Sequence, residues 1–504
     1  MDSYGAEEWI CRAHCTFFKA DRTEEERCRG YSLASLIVTK RALLDTFKTV
    51  EPFDPSFKKS FLYNHICVHC PFLIDGCDFT ASESSEGCLP CGGLILISQL
   101  LHDGKLLEDD VRGADLIDRD RESYLSLTPR CSIKKLEHNY LYHIVKDELY
   151  EVNQEGFDFL IRCDGTNRVK DLNPDPGFLD FCREEDLLWI NPTPREIVIR
   201  EGQSPVPSLR YLEWLVTFRC NLSCSHCYLG QTESDEFSPD LIRPLLDQFT
   251  HMHGLRILVS GGEPTMYRHF PLLNDIIGDY PIRAVLLTNG MLLDDKLASK
   301  LNFHEVQISL DGMERGHEAI RGKGTFRRAV EAMKIARRNG LDLSVATMIH
   351  KANLDEWDDM SLLVVENGAK EWSVDYPCLK GRWQVNHELY VAPEEAAVKM
   401  SYGFGGSYHG TSPGWTCGRH LAAVLPSGNV CRCGLYQELS LGSVDEGLEE
   451  AWARVIHVPI GQTKCFGCTH ADTCGGGCRY RAGGPDERDE VMCRFHGVQV
   501  EESL

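Results

Sequence analysis

The sequence lacks any apolar run long enough to span a bilayer. The longest obvious one, Leu94–Leu101, falls far short of the roughly 20 residues a membrane helix needs, so no spanning helix is expected. Positive charge is scarce as well, with 53 Lys and Arg against 76 Asp and Glu and a net charge of −23. A chain this acidic is a poor reader of nucleic acid or anionic lipid by its overall field, so neither partner is expected. The opening stretch MDSYGAEEWI has neither the basic start nor the apolar core of a secretory signal, which gives a cytoplasmic expectation. What the sequence has in excess is cysteine, 23 in all. An odd total in a reducing compartment argues against a disulfide framework, and the short spacings argue for metal.

Nineteen of these thiols fall into three clusters. The first comprises Cys11, Cys15, Cys28, Cys67, Cys70, Cys77, Cys88 and Cys91. The second is Cys220, Cys224 and Cys227, a C-x3-C-x2-C set with no fourth ligand nearby. The third runs from Cys417 through Cys431, Cys433, Cys465, Cys468, Cys474 and Cys478 to Cys493. Cys131, Cys163, Cys182 and Cys378 stand alone and read as small buried hydrophobes. A closed structural zinc site wants four ligands. Three thiolates with nothing beside them describe a metal group with one position left over.

From Tyr211 onward, β-rich apolar runs alternate with amphipathic helices. YLEWLVTF, LRILVSGG, RAVLLTNG, EVQISLDG, LDLSVATMIH and KEWSVDYPCL read as strands. SPDLIRPLLDQFTHMHG reads as a helix with Ser238 as N-cap, and TFRRAVEAMKIARRNG as one stopped by Gly340. Six β–α alternations predict an α/β fold with a parallel sheet covered by helices, and in a barrel of this kind chemistry gathers at the C-terminal strand ends. The cysteine triplet follows the first strand, SGGEP the second, TNG the third and SLDG the fourth.

C-x3-C-x2-C after strand one, with SGGEP after strand two, resembles the radical S-adenosylmethionine superfamily over about Leu209 to Leu379. The resemblance implies a partial (β/α)6 barrel in which Cys220, Cys224 and Cys227 hold three irons of a 4Fe–4S cluster and S-adenosylmethionine chelates the fourth. It implies that Gly261 and Gly262 admit the cofactor closely, that Glu263 receives its ammonium group, and that Ser309 and Asp311 face the ribose. Arg321 then meets the methionine carboxylate, and His226 sits where the family carries an aromatic near the adenine. SLDG and TNG are also common strand-end turns, and that reading stays open.

The C-terminal set, Cys417-x10-Gly428-x4-Cys433 followed by Cys465-x2-Cys468-x5-Cys474-x3-Cys478 and Cys493, resembles the SPASM extension, which binds two auxiliary 4Fe–4S clusters. By that resemblance Cys465, Cys468, Cys474 and Cys493 hold one, and Cys417, Cys433 and Cys478 hold the other. Cys431 is the candidate fourth ligand; without it, an open iron would be left for a substrate thiolate. Two zinc ribbons are the alternative.

Between about Leu127 and Pro192, CSIKKLEHNYLYHIVKDELYEVN alternates like a β-hairpin turning near Lys146–Asp147. A helix over EGFDFLIRCDGT ending at Gly165, a second helix and a closing strand follow. The segment resembles the small winged-helix chaperone of pyrroloquinoline quinone biosynthesis, which implies recognition of a precursor peptide's leader by strand addition. An ordinary small α+β domain is the alternative. The eight N-terminal thiols suit two zinc sites or further iron–sulfur clusters, while His14, His65 and His69 read as structural. The expected organisation is a Cys-rich metal-binding domain over 1–120, a recognition domain over 127–195, the radical barrel over 209–385 and the SPASM domain over 410–500. Together these readings imply a cytoplasmic radical enzyme that cleaves S-adenosylmethionine and modifies a ribosomally made peptide, by thioether or carbon–carbon cross-linking. Its implied partners are the precursor peptide and an electron donor such as flavodoxin or ferredoxin. The same chemistry on a folded protein or tetrapyrrole side chain, or a non-catalytic iron–sulfur carrier, are the alternatives.

Overall fold

The computed structural model describes residues 29–41, 59–68, 70, 91–200, 202–230, 235–405 and 412–499. Cys11, Cys15, Cys28, Cys77 and Cys88, with His14 and His69, lie outside them. The chain forms two compact units: the residues up to Cys131 with Val152–Ile199, and Ser132–Glu151 with Arg200 onward. The segment expected as one recognition module is thus divided between them, its hairpin in one and its helices in the other.

In the first unit, helices Arg29–Arg41, Gly92–His102 and Glu108–Arg119 share a core of Leu33, Ile37, Ile66, Leu96, Leu100 and Val111. Strand β1 (Tyr124–Leu127) lies between β5 (Asp164–Arg168) and β6 (Leu188–Asn191), antiparallel to both. The helix expected to stop at Gly165 runs from Gln154 to Ile161 and ends at Arg162; Gly165 belongs to β5. The second expected helix is Pro176–Glu184, started by the Asp175 carboxylate accepting from the Phe178 N–H.

The second unit is built on a nine-stranded sheet. Strands β7 (Tyr211–Thr217), β8 (Arg256–Gly261), β9 (Arg283–Thr288), β10 (Glu305–Ser309), β11 (Asp342–Met348) and β12 (Glu371–Asp375) lie side by side in chain order, all parallel. This is the partial (β/α)6 barrel. Beyond β7 the sheet continues with β13 (Leu421–Val424), parallel to β7, and then with antiparallel β14 (Asn429–Cys431) and β15 (Gly442–Ser443). The strands read as near-continuous apolar runs because helices cover one face and barrel packing the other. Ile242, Leu245, Leu246 and Phe249 project from one face of the helix Ile242–His251 at the i, i+3, i+4, i+7 spacing, and Ala329, Ala332, Met333 and Ala336 do so from Thr325–Arg338. Full burial of one such Leu or Phe contributes roughly 2–3 kcal/mol. Ser238 makes no side-chain cap; its carbonyl instead accepts from Leu241 N, closing a 3-10 turn over Pro239–Leu241 before the helix proper.

The expected hairpin is a three-stranded sheet, β2 (Cys131–Lys135), β3 (Asn139–His143) and β4 (Glu148–Glu151), with a second turn closed by Leu136 N donating to His138 O at 3.0 Å. Apart from Cys131 these strands belong to the barrel's unit and sit under the N-terminal strand ends. Arg283, the first residue of β9, donates to Ile144 O (3.1 Å) and Val145 O (2.9 Å) as well as to Glu305 (2.9 Å) and Asp342 (2.6 Å). Arg256, opening β8, donates to Asp147 at 2.9 Å. Lys134 is buried and donates to Gly254 O at 2.7 Å and Pro281 O at 3.1 Å. Among the described residues no helix is long and apolar enough to cross a membrane.

Candidate active site

The loop from Phe218 to Gly230 leaves the C-terminal end of β7 and carries the cysteine triplet. Its backbone is held from three sides. From β8, Gly262 N donates to Thr217 O and Glu263 N to Arg219 O, both at 2.8 Å. A Cβ on Gly261 would lie 2.2 Å from Thr217 O, and one on Gly262 would lie 2.4 Å from Arg219 O. The two glycines, expected to admit a cofactor, therefore admit the cysteine loop's own backbone. From the helix Glu314–Arg321, Ile320 O accepts from Ser225 N at 2.8 Å. From the segment after β12, Arg382 donates through N to Cys227 O (2.9 Å) and through Nη1 to Cys224 O (3.2 Å) and Ser223 Oγ (2.8 Å).

Within the loop, Cys227 N closes on Cys224 O at 3.3 Å. Cys465 and Cys468 make the same C-x2-C turn (3.0 Å), and so do Cys67 and Cys70 (3.0 Å). Cys220 is exposed and Cys224 buried. Leu222 N donates to Cys220 Sγ at 3.4 Å, and Asn289 Nδ2 lies 3.8 Å from the same sulfur. Burial pushes the Cys224 thiol up to about 11, with the Arg321 guanidinium pulling the other way. Three thiols on one braced loop, N–H groups on the first and a buried cation acting on the second form a donor set that suits an anionic cluster ligated by thiolate.

Glu263 is fully buried and accepts from Thr265 Oγ1 (2.5 Å), Thr265 N (3.2 Å) and Thr288 Oγ1 (2.7 Å) on Oε1, and from Asn289 N (2.9 Å) on Oε2. Burial raises its pKa against these donors. Its visible work is to brace the ends of β8 and β9. Asn289 relays that brace onward, since its side chain also donates to Asn221 Oδ1 at 2.8 Å. TNG was legible as a strand-end turn, but nothing in its spacing marked the Asn side chain as the link to the cysteine loop.

Ser309 is half-buried at the end of β10. Asp311, expected beside a ribose, is instead 1% exposed and engaged within the protein. Its carboxylate accepts from Arg321 Nε and from Met348 N (2.8 Å), and His226 Nε2 lies 3.6 Å away. Burial, the largest single influence, would push the Asp311 pKa up; Arg321, His226, His317 and the Met348 N–H together outweigh it and hold it well below the usual carboxylate range. Arg321 Nη2 lies 3.4 Å from His226 Nε2. His350 Nε2 lies 2.8 Å from Asp311 O, and Asp311 N donates to His317 Nδ1 at 3.1 Å. Burial holds His226 neutral, with its pKa pushed down to about 3. His226 Nδ1, His317 Nε2 and His350 Nδ1 are buried without a hydrogen-bond partner. His317 and His350 were not anticipated; they lie far apart in sequence and only the fold gathers them.

Of the C-terminal thiols, Cys465, Cys468, Cys474 and Cys493 line one small cavity, together with His470 and His496. The donor set fits one four-thiolate cluster. Burial raises the thiol pKa of Cys417 and of Cys433; Cys478 adds to the rise at both, and Cys417 adds to it at Cys433. Gly434 N, beside Cys433, donates to Glu213 of β7 at 2.9 Å, and Cys478 N donates to Asp489 at 2.8 Å. Cys431 is fully buried at the end of β14, packs with Leu215, Ala423 and Leu425, and donates to Cys433 O. Among the N-terminal thiols, Cys67 is buried in the helical core and Cys91 O accepts from Ile95 N at the start of Gly92–His102. His65 pairs with Asp115 at 3.2 Å, a structural contact. Away from all of these residues, a cavity of about 530 Å³ between Ile242–His251 and Leu448–Trp452 carries no motif residue.

Residues 214–364 match the family described as the radical SAM superfamily. The chain is similar to "Mycofactocin maturase MftC" of Mycolicibacterium smegmatis, 26% identical over 330 residues, covering 58% of this chain and 83% of that protein. It is similar to "AdoMet-dependent heme synthase" of Nitratidesulfovibrio vulgaris, 27% identical over 346 residues, covering 57% and 93%. Among solved structures it resembles SuiB of Streptococcus suis bound to the precursor peptide SuiA, with a TM-score of 0.54 at 14% identity, over 73% of this chain and 99% of that one.

Proposed function

We propose that this chain is a radical SAM enzyme, as the family match over residues 214–364 supports, and that it is a maturase of a ribosomally synthesised peptide. The observation that carries the chemistry is the triplet Cys220, Cys224 and Cys227 on a loop fastened at the C-terminal end of β7, beside the buried Asp311–Arg321 pair. Cys220, Cys224 and Cys227 would hold a 4Fe–4S cluster with S-adenosylmethionine beside it, which when bound and reduced would supply radical abstraction of a substrate hydrogen atom. The chain's own residues hold the loop rigid, keep a cation beside the thiolates and exclude water from the histidine-lined interior. In this reading Glu263, Ser309 and Arg321 keep their roles toward the cofactor, and Asp311 acts by fixing Arg321. Cys417, Cys433 and Cys478 hold one auxiliary cluster and Cys465, Cys468, Cys474 and Cys493 the second. A flavodoxin or ferredoxin supplies electrons, and the product is a thioether or carbon–carbon cross-link.

The peptide reading draws support from two sides. One is the maturase relative and the SuiB likeness. The other is β4, which pairs with β3 on one side and stands at the margin of its three-stranded sheet, where an added strand would find its backbone groups. That sheet sits at the N-terminal end of the barrel, while the cysteine loop leaves the C-terminal end. The seven residues of β7 separate the two ends, which at roughly 3.3 Å per residue is about 20 Å. A precursor held at β4 therefore needs at least about seven extended residues between its contact and the residue modified. The heme synthase relative favours a second reading, a tetrapyrrole substrate.

The deciding experiment incubates anaerobic, reduced protein with S-adenosylmethionine and short cysteine-bearing peptides encoded beside its gene, measuring 5′-deoxyadenosine and loss of two hydrogens from the peptide. Cleavage that is absent in wild type, or undiminished in the triple Cys220→Ala, Cys224→Ala, Cys227→Ala variant, would sink the radical reading. Cleavage with no peptide changed, and with an iron-bearing tetrapyrrole consumed instead, moves the assignment to the tetrapyrrole.

A further inference from the structure

Cys378 stands alone in the sequence and reads there as a packing residue. The fold places it elsewhere. It is the third residue past β12, on the side of the barrel where the cysteine loop lies, and its Sγ is 3.9 Å from Sγ of Cys478, 100 residues away. Its flanks are fastened to the segments that carry Cys433 and Cys478. Arg481 Nη1 donates to Tyr376 O at 2.9 Å. Lys380 Nζ donates to Leu435 O (2.5 Å) and Glu438 Oε1 (2.7 Å), and it lies 5.3 Å from the ring centroid of Tyr480. Two anchors within two residues on either side fix where this thiol points.

We propose that Cys378 is the fourth thiolate of the auxiliary cluster whose other ligands are Cys417, Cys433 and Cys478. The proposal rests on reading those three as cluster ligands. Three thiols supply one fewer than a closed four-iron site takes, and the position left over has two cysteine claimants. Cys431 is turned into an apolar pocket of Leu215, Ala423 and Leu425 and committed to Cys433 O, so it would have to leave the β-sheet core to bind metal. Cys378 already faces a ligand thiol at 3.9 Å, on a segment anchored to the stretches that carry Cys433 and Cys478. The consequence reaches the reaction class. A site closed by four protein thiolates leaves no iron for a substrate sulfur, so this cluster serves the reaction without binding the peptide's cysteine.

The test uses the full chain with Cys220, Cys224 and Cys227 replaced by Ala, so that the remaining iron reports the other sites. In that background Cys378→Ala should cost about four irons, or keep them with an altered reduced EPR signal that shifts on adding cyanide, a small ligand for an open iron. Cys378→Ser, which keeps an oxygen ligand, should retain iron with a shifted spectrum. Cys431→Ala should leave both iron and spectrum as they were, and the parent's signal should not respond to cyanide. If Cys433→Ala costs about four irons while Cys378→Ala leaves iron, spectrum and cyanide response unchanged, the assignment of Cys378 is wrong and the cluster reading survives. If Cys433→Ala costs no iron and also leaves the spectrum and the cyanide response unchanged, the cluster reading itself falls. A cyanide-sensitive signal in the parent likewise overturns the closed site.

Discussion

Glu371 opens β12 at the floor of the barrel, 9% exposed, with a single side-chain donor, Ser373 Oγ at 3.2 Å. Burial first, and the carboxylate of Glu305 second, push its pKa from 4.5 to about 7; Asp147 adds to the shift, while Arg256 and Ser373 oppose it. The sign follows from which state keeps the proton. Between pH 4.5 and 7 the unfolded chain releases it and the folded chain holds it, so folding stability falls as pH rises through that window. A shift of this size corresponds to about 2–3 kcal/mol lost by pH 8. Glu371→Gln keeps the shape and the acceptor without the charge. It should therefore stabilise the protein by about 2–3 kcal/mol at pH 8 and by almost nothing at pH 4.5. Chemical unfolding at both pH values, followed by tryptophan fluorescence, reads the barrel directly, because Trp214, Trp357, Trp372, Trp383 and Trp452 are all buried in that unit. Equal stabilisation at the two pH values would trace the gain to packing, and destabilisation at pH 8 would show that Glu371 is ionised and paired. Either result refutes the argument.

Three further outcomes are expected. Asn289→Ala removes the link between the Glu263 brace and Asn221, and S-adenosylmethionine cleavage should fall at least about tenfold, the loss of one positioning hydrogen bond, while far-UV circular dichroism stays unchanged. Gly262→Ala places a Cβ 2.4 Å from Arg219 O; the loop must shift, and iron retained at the first site should drop in anaerobic reconstitution. Asp311→Asn strands the buried Arg321 charge, a loss of about 3–5 kcal/mol measurable by denaturant midpoint, and adding Arg321→Met should restore part of that stability without restoring cleavage.

The barrel was legible because each of its signals is local. Strand runs such as RAVLLTNG and helices with an i, i+3, i+4, i+7 face declare themselves within a dozen residues, and the motifs fall on strand ends by simple counting. The extra turn at Leu136–His138 was missed because Glu137 continues the alternation; what bends the chain there is Glu137 accepting from Ser208 N (2.8 Å) and Arg210 Nη2 (2.7 Å), about 70 residues on. The same limit explains the site. C-x3-C-x2-C is readable, but the neutralisation of Asp311 by Arg321, the burial of His317 and His350 around it, and the commitment of Glu263 to Thr288 and Asn289 are contacts between strand ends. Composition gives no hint of them. Gly261 and Gly262 read in the sequence as positions of close approach to a cofactor, while the approach seen in the fold, by the backbone of Thr217 and Arg219, can be named only once β7 and β8 lie side by side.

One short segment joins what the sequence presents as separate cysteine regions. Between Tyr376 and Asn386 the chain meets Cys478 through Cys378, the Cys433 loop through Lys380, and the first cysteine loop through Arg382. Asn386 Nδ2 then donates to Ser225 O at 2.8 Å. Gly381 sits at the crossing, where a Cβ would lie 2.4 Å from Cys227 O. The C-terminal region is also built into the barrel's sheet, since β13 extends it beyond β7 and Glu213 of β7 holds the Cys433 loop. A displacement of the first cysteine loop must therefore be taken up by backbone shared with the second set of thiols, since Arg382 is four residues from Cys378. Under the proposed function both thiol sets hold clusters, and electron exchange between those would depend on a fixed spacing. Here it is enforced by hydrogen bonds to carbonyls, which tolerate side-chain change elsewhere but not a residue larger than glycine at position 381.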